Sequence, residues 1–571
     1  MLKFNSRNKT YKTPFGAVAT HQRVRLLFPV HKSIGAMGVS LCLRENTVKK
    51  LDMHFAGSIG DYDNYKLEFT LSKEGVYYYR FEILTEKGIL FVGKDDDGGA
   101  VIGDWLPEWQ LSCYHNSYET PSWLKGGVIY QIFPDRFNRV EDGVRPVKGP
   151  FKSWEEPLTI VDPDGVYRAN DFYGGNAKGV KEKLPYLKEL GVTAIYFNPV
   201  FESFSNHRYD TGDYMKLDRL FGTEEEFKEL IEEADKLGIG IILDGVFNHT
   251  GADSIYFNKF GTYKEKGAYQ SKDSKYYSWY TFQDFPEEYT CWWGCTVVPT
   301  ISRTCEEFQE YITGENGVIE KWNKLGVKGW RLDVVDEIST AFTRKIRKSA
   351  KKNNPEVVVI GEVWEDASTK ESYGERRSYF YGEELDGVMN YPFRKAIIDA
   401  ILTKDAVAFK RQIMTIMENY PRSSLECSMT LLGTHDTIRI LNVLGEVKVP
   451  ETKQEKLDYV LTEEEYNRGV RRLKIASCLQ YFLPGIPTVY YGDEIGMQGF
   501  EDPINRRPYE WNNQNKELLS HYKMLGDVHK EFSRSGVEIN AYGSMLEIKR
   551  GAYTLTVNLL KEEFSIEKKQ G

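Results

Sequence analysis

Two stretches decide the fold, 239-IGIILDGVFNH-249 and 327-VKGWRLDVVDE-337. Each opens on an apolar run too short for a helix and reaches an aspartate, Asp244 or Asp333, where the run stops. Apolar runs without alternation read as strands buried on both faces, as in a parallel sheet covered by helices. Working outward, the same pattern recurs at 128–133, 193–197, 357–362, 386–390, 428–436 and 486–491. Amphipathic segments fall between these runs, at 177–190, 223–237, 337–352, 393–402, 405–419 and 465–482, with a closing helix at 514–533. Eight strands alternating with helices predict an α/β fold, a (β/α)8 TIM barrel, spanning 119–535. The interval after the third strand exceeds one helix, so 250–312, rich in Tyr, Trp and Gly, reads as an excursion domain.

Before the barrel, 23-RVRLLFPV-30, 38-GVSLCLR-44 and 75-GVYYYRFEI-83 are strand-like, and the last alternates cleanly. Residues 1–118 therefore predict an N-terminal β-sandwich, with 95-DDDGG-99 as a turn rather than a calcium loop. Residues 536–571 predict a short C-terminal β segment built on one hairpin, 544–560, turning at Arg550-Gly551.

Composition narrows the function. The 571 residues hold 75 Lys+Arg against 84 Asp+Glu, a net charge of −9, which argues against a nucleic-acid partner. No run of about 18 apolar residues occurs, so no membrane span is expected. The first 20 residues lack a secretory apolar core, and the 7 cysteines form no CxxC pair, so the reading is cytoplasmic, with free thiols at Cys291, Cys295 and Cys305.

The chemistry gathers at the strand ends. Asp244, Asp333, Glu362 and Asp436 follow four of the eight strands and so share one rim, with His249, Arg331 and His435 beside them. Clustered carboxylates repel one another, so a cluster points to a site. Arg331, two residues before Asp333 on a strand, should share its direction and hold it ionised. An ionised Asp beside a protonated Glu is the apparatus of glycosidic cleavage, and a further carboxylate, such as Asp244, could bind ring hydroxyls. A metal site of His249, His435, Asp244 and Asp436 competes, without HxH or HExxH spacing to support it.

These segments resemble the α-amylase superfamily of glycoside hydrolases: 244-DGVFNH-249, 329-GWRLDVVDE-337, 360-IGEVW-364 and 433-GTHD-436 match its four regions in order. The resemblance implies Asp333 as nucleophile, Glu362 as acid/base and Asp436 as transition-state stabiliser. It also implies Arg331, His249 and His435 at subsite −1, with His207 and Tyr209 of 206-NHRYDTGDY-214 beside them, and Arg439 among the substrate-binding residues. The segments 126-GGVIYQIFPDRF-137, 386-DGVMNYPFR-394 and 490-YYGDEIGMQGFEDPINRRPYEW-511 are similar to the cyclomaltodextrinase, neopullulanase and maltogenic amylase branch. That branch acts on α-1,4 bonds of cyclodextrins, pullulan and maltooligosaccharides. Some members cleave α-1,6 bonds or transfer glycosyl units, and many form homodimers through an N-terminal domain. An α-1,6-acting debranching enzyme or α-glucosidase is the alternative. A non-catalytic carbohydrate-binding protein is disfavoured because all three carboxylates are present.

Three departures stand out. The excursion reads 297-VVPTIS-302 after 292-WWG-294, and Trp292 and Trp293 become candidates for sugar stacking. Asp336 stands where the branch places Asn, beside Glu337. The calcium motif is thin, leaving Asn138, Asp142, Gly174 and Asn176 as structural-calcium candidates; no cofactor is required for catalysis. Trp330 is expected in the core.

Overall fold

The computed structural model describes residues 2–161 and 165–569. Eight parallel strands form the barrel: β1 (Ile129–Ile132), β2 (Ala194–Phe197), β3 (Gly240–Gly245), β4 (Gly329–Leu332), β5 (Val358–Gly361), β6 (Gly387–Val388), β7 (Met429–Leu431) and β8 (Ile486–Tyr490). Their order is β6-β5-β4-β3-β2-β1-β8-β7, and a parallel bridge between Met389 and Met429 joins the two ends. Every residue of the eight strands is buried, which explains runs without alternation. Ile129, Ala194, Tyr196, Ile242, Val358, Ile360, Met429, Leu431 and Ile486 fill the interior. Trp330 is fully buried, as expected.

The helices follow their local signals. Thr223 and Glu226 form a capping box before Glu224–Lys236, whose buried Phe227, Leu230, Ile231 and Ala234 make one stripe. The segment 177–190 is two helices, Ala177–Glu182 and Leu184–Glu189, because Pro185 cannot continue the first. The helix expected from 337 begins at Thr340, where Ser339 caps it through the Phe342 amide. After β2, an unforeseen strand pair, Phe201–Ser203 with Thr211–Leu217, frames the loop holding His207 and Tyr209. The excursion carries little regular structure and packs on its own rings, with Phe257 4.8 Å from Tyr280 and 4.7 Å from Tyr289. These rings form the packing of the excursion itself.

The C-terminal residues exceed the single hairpin expected. Val537–Tyr542, Met545–Arg550, Tyr553–Asn558 and Glu563–Lys568 form a four-stranded antiparallel meander, and Gly551 turns at φ 56° as the sequence required.

A separate compact unit comprises the residues up to Thr120 with Glu365–Asp386 and Val407–Leu425. It has one four-stranded and one seven-stranded sheet. Strand Gly75–Thr85 buries Tyr77, Tyr79, Phe81 and Ile83 on one face, in keeping with its alternation. Phe28 stacks on Phe81 at 4.2 Å between the sheets. Asp95 Oδ1 accepts from the Asp97 and Gly99 amides, so that run is a turn. Among the described residues, no helix is long and apolar enough to cross a membrane.

Candidate active site

The register of β3, β4 and β5 builds the site. Asp244 pairs with Arg331 across β3 and β4, and Leu332 pairs with Gly361 across β4 and β5. Asp333 and Glu362 are the next residues beyond that last pair, and the Glu362 amide donates to Leu332 O at 3.1 Å. Adjacent strands lie about 4.8 Å apart, so the two carboxylates emerge side by side.

Arg331 is fully buried among three carboxylates. Its Nη1 donates to Asp333 Oδ1 at 2.7 Å and to Asp244 Oδ1 at 2.9 Å. Its Nη2 lies 2.9 Å from Glu362 Oε2, a charge contact rather than an aligned hydrogen bond. Arg331 is one cation shared three ways. Burial first, and then Glu362 and Asp244, push the Asp333 carboxyl well above its ordinary range, while Arg331 pulls it down. Arg331 shares the direction of Asp333, as expected, and works there against burial and two neighbouring carboxylates.

Glu362 is gripped at both oxygens. The Val334 amide donates to Oε2 at 2.8 Å and Trp364 Nε1 to Oε1 at 3.0 Å. Trp364 is 46% exposed and stacks on buried Tyr391 at 3.8 Å.

Asp436 keeps about a third of its side chain exposed. Arg506 Nη2 reaches its Oδ1 at 3.3 Å, and His435 Nε2 lies 3.1 Å from Oδ2. Burial raises the Asp436 carboxyl, and Arg506 and Arg331 oppose that. His435 is held neutral, its basicity lowered by burial and by Arg506 and Arg331. With Gln131 Nε2 donating to its Nδ1 at 3.0 Å, the ring proton belongs on Nε2, 2.6 Å from Tyr209 Oη. Tyr209 lies offset-parallel to His435 at 5.2 Å. His207 bonds Ser205 Oγ through Nδ1 and keeps about a quarter of its side chain exposed; burial depresses its basicity.

Two expectations need correcting, and the calcium candidates have roles in their own loop. Asp244 is 1% exposed and its oxygens are taken by Arg331, Tyr196 (2.6 Å) and Tyr209 (2.8 Å). It therefore orients Arg331 and Tyr209 and does not face sugar hydroxyls. Arg439 is 1% exposed and turned away, with Nε on Asn505 O and Nη1 on Tyr491 O and Asp493. The arginine at the site is Arg506, seventy residues from Asp436 in sequence, which no local pattern reveals. Finally, the calcium candidates serve the loop: Asn176 Oδ1 caps Ala177–Glu182 through the Gly179 amide, Asn138 Nδ2 donates to Gly179 O, and Asp142 accepts from the Val144 amide. A Cβ at Gly174 would meet the Phe151 ring at 2.6 Å, so that glycine is needed for packing. Among the described residues, no group of three His, Cys, Asp or Glu side chains could hold a metal ion.

The tryptophans divide the task. Trp292 packs on nearly buried His249 at 5.5 Å. Trp293 is 84% exposed, held at φ 49°, with Nε1 3.5 Å from Glu337 Oε1. Asp336 and Glu337 are half-buried on the turn after β4. His249 is held neutral, burial lowering it to about 4.

A nearly closed parallel barrel with carboxylates at the ends of its fourth and fifth strands defines the class: the chain belongs to the alpha-amylase family, whose catalytic-domain profile matches residues 131–540. Among particular relatives, it is 36% identical to neopullulanase 2 of Thermoactinomyces vulgaris over 73% of this chain and 65% of that protein. It is 33% identical to an amylopullulanase of Thermoanaerobacterium saccharolyticum over 92% of this chain but 44% of that protein, so it spans less than half of that relative. Among solved structures, the cyclic alpha-maltosyl-(1→6)-maltose hydrolase of Arthrobacter globiformis superposes with a TM-score of 0.66 at 26% identity, over 79% of this chain and 98% of that one.

Proposed function

We propose that the chain is a retaining α-glucan hydrolase that cleaves α-1,4 bonds of cyclodextrins, pullulan and maltooligosaccharides and also transfers glycosyl units. The single observation that carries the reading is the placement of Asp333 and Glu362 one step beyond the Leu332–Gly361 pair, bridged by Arg331. Side-by-side strand ends favour a carboxyl separation of about 5–5.5 Å, too short for an intervening water. In this reading Asp333 attacks the anomeric carbon as Glu362 protonates the departing glycosidic oxygen, giving a β-glycosyl ester on Asp333. Glu362 then takes a proton from water, or from a sugar hydroxyl, which opens the ester with a second inversion. The reacting form is the one in which Asp333 is anionic and Glu362 carries the proton it delivers, one of the states that a coupled carboxylate cluster shares.

Asp436, steadied by Arg506 and His435, faces the developing positive charge. Tyr209 gives the sugar a ring to stack on, and Trp293 with Glu337 borders the loop side. No cofactor takes part. Names of relatives such as neopullulanase support the substrate class.

The test is reducing-sugar release from cyclodextrin, pullulan, starch and panose, with Asp333→Asn and Glu362→Gln as controls. Each variant should lose roughly 10³-fold or more of the rate while melting like the parent. Either variant keeping a tenth of the rate would reject the assignment.

A further inference from the structure

A second cleft lies among residues the catalytic reading does not use. It encloses about 660 Å³, between the loop after β1 and the loop after β8, and its walls include Arg139, Trp154, Glu155, Arg507, Trp511 and Asn512. That volume falls within the usual range of ligand sites.

The cleft is built. Trp154 Nε1 donates to Tyr509 O at 2.9 Å, and Trp511 Nε1 donates to Phe137 O at 2.9 Å. Each loop thus pins the other's indole. With its ring N–H consumed, Trp154 stays partly open to solvent and offers apolar ring surface, while Trp511 is itself packed on Tyr509 at 4.1 Å and lines the cleft beside it. Trp511 is backed by Lys183, whose Nζ sits 4.0 Å from the ring centre.

Arg507 is the unusual member. Its Nη2 donates to Leu457 O at 2.6 Å, while its Nε is buried without any acceptor. Among the described residues no carboxylate forms an ion pair with it, whereas its neighbour Arg506 is paired to Asp436 and Asp502.

The charges on the walls decide the ligand class. Arg139 and Arg507 line the cleft together with Glu155, Glu156 and Glu510, so neither sign dominates and an anion or a cation gains little. Indole surface, together with amide, guanidinium and carboxylate groups that donate and accept in similar measure, suits a neutral polyol. We infer that this cleft is a second saccharide-binding site, taking a segment of α-glucan chain outside the carboxylate cluster. The choice of α-glucan rests on the proposed function; the polyol character rests on the cleft.

The test compares Trp154→Ala with Asn512→Arg, the latter placing a long side chain at an exposed wall position without touching the core. Retardation in native gels containing soluble starch is measured in a Glu362→Gln background. Maltotriose hydrolysis is measured in the active chain. Both variants should bind starch at least fivefold more weakly while hydrolysing maltotriose within twofold of the parent. Should Trp154→Ala melt early, Asn512→Arg alone decides. Unchanged retardation in Asn512→Arg, or a maltotriose rate that falls in step with retardation, would overturn the inference. A parent chain that is retarded but never hydrolyses maltotriose, and whose variants lose retardation, would reject the proposed function and support the cleft.

Discussion

Val334 holds Glu362: its backbone amide, directly after Asp333, donates to Glu362 Oε2 at 2.8 Å. Val334 does this at φ 37°, a conformation costly for a β-branched residue. Such strain is worth on the order of 1–3 kcal/mol and persists where surrounding structure imposes it. It ties the position of one carboxylate to the backbone that follows the other. Val334→Gly should relieve the strain and loosen the grip. The melting temperature should hold or rise while kcat falls several-fold; a lower melting temperature with full activity would refute the coupling.

Trp364 grips the other oxygen of Glu362 through its indole N–H at 3.0 Å. Trp364→Phe keeps the ring on Tyr391 and deletes the donor. With one of its two oxygens released, Glu362 should lose its fixed orientation, so kcat should fall several-fold at unchanged melting temperature. An unchanged kcat with only KM raised would make Trp364 a substrate contact alone.

Arg331 is the cation among Asp244, Asp333 and Glu362. Arg331→Met leaves buried carboxylates uncompensated, which costs about 3–5 kcal/mol in comparable cases. The deficit should be largest near pH 7 and shrink on acidification, as the carboxylates take up protons. Denaturant melts at pH 7 and pH 5 measure it; a deficit equal at both values would contradict the charge argument.

Buried histidines set the acid stability. Burial holds His249 and His521 down to about 4 and His529 to about 3. An unfolded histidine near 6.5 accepts the proton these refuse, so stability should be lost as pH falls from 6.5 toward 4, by a few kcal/mol. Asp493, lifted to about 6 by burial, acts in the opposite sense and offsets part of the loss as it protonates. Melting temperature against pH, with His521→Asn giving a shallower slope, checks this; a flat profile over that window would contradict it.

The barrel was legible because strands buried on both faces leave apolar runs, and strand ends place Asp333 and Glu362 without further information. What escaped depends on long-range orientation. Nothing local separates Arg439, folded inward onto Asn505, from Arg506, which reaches back to Asp436. Asp244 also ends a strand, yet it faces Tyr196 and Arg331 from two neighbouring strands, and cross-strand pairing turned a candidate binding residue into a support. The outer C-terminal strands, 537-VEINAY-542 and 563-EFSIEK-568, were missed because charge thins their apolar alternation.

The central claim is that Asp333 and Glu362 act as nucleophile and acid/base at a retaining separation. Proton NMR of the anomeric region, in the first minutes of maltooligosaccharide cleavage and before mutarotation, tests it most directly. The α-anomer should appear first, with transfer products growing at high substrate concentration. A β-anomer appearing first would contradict it.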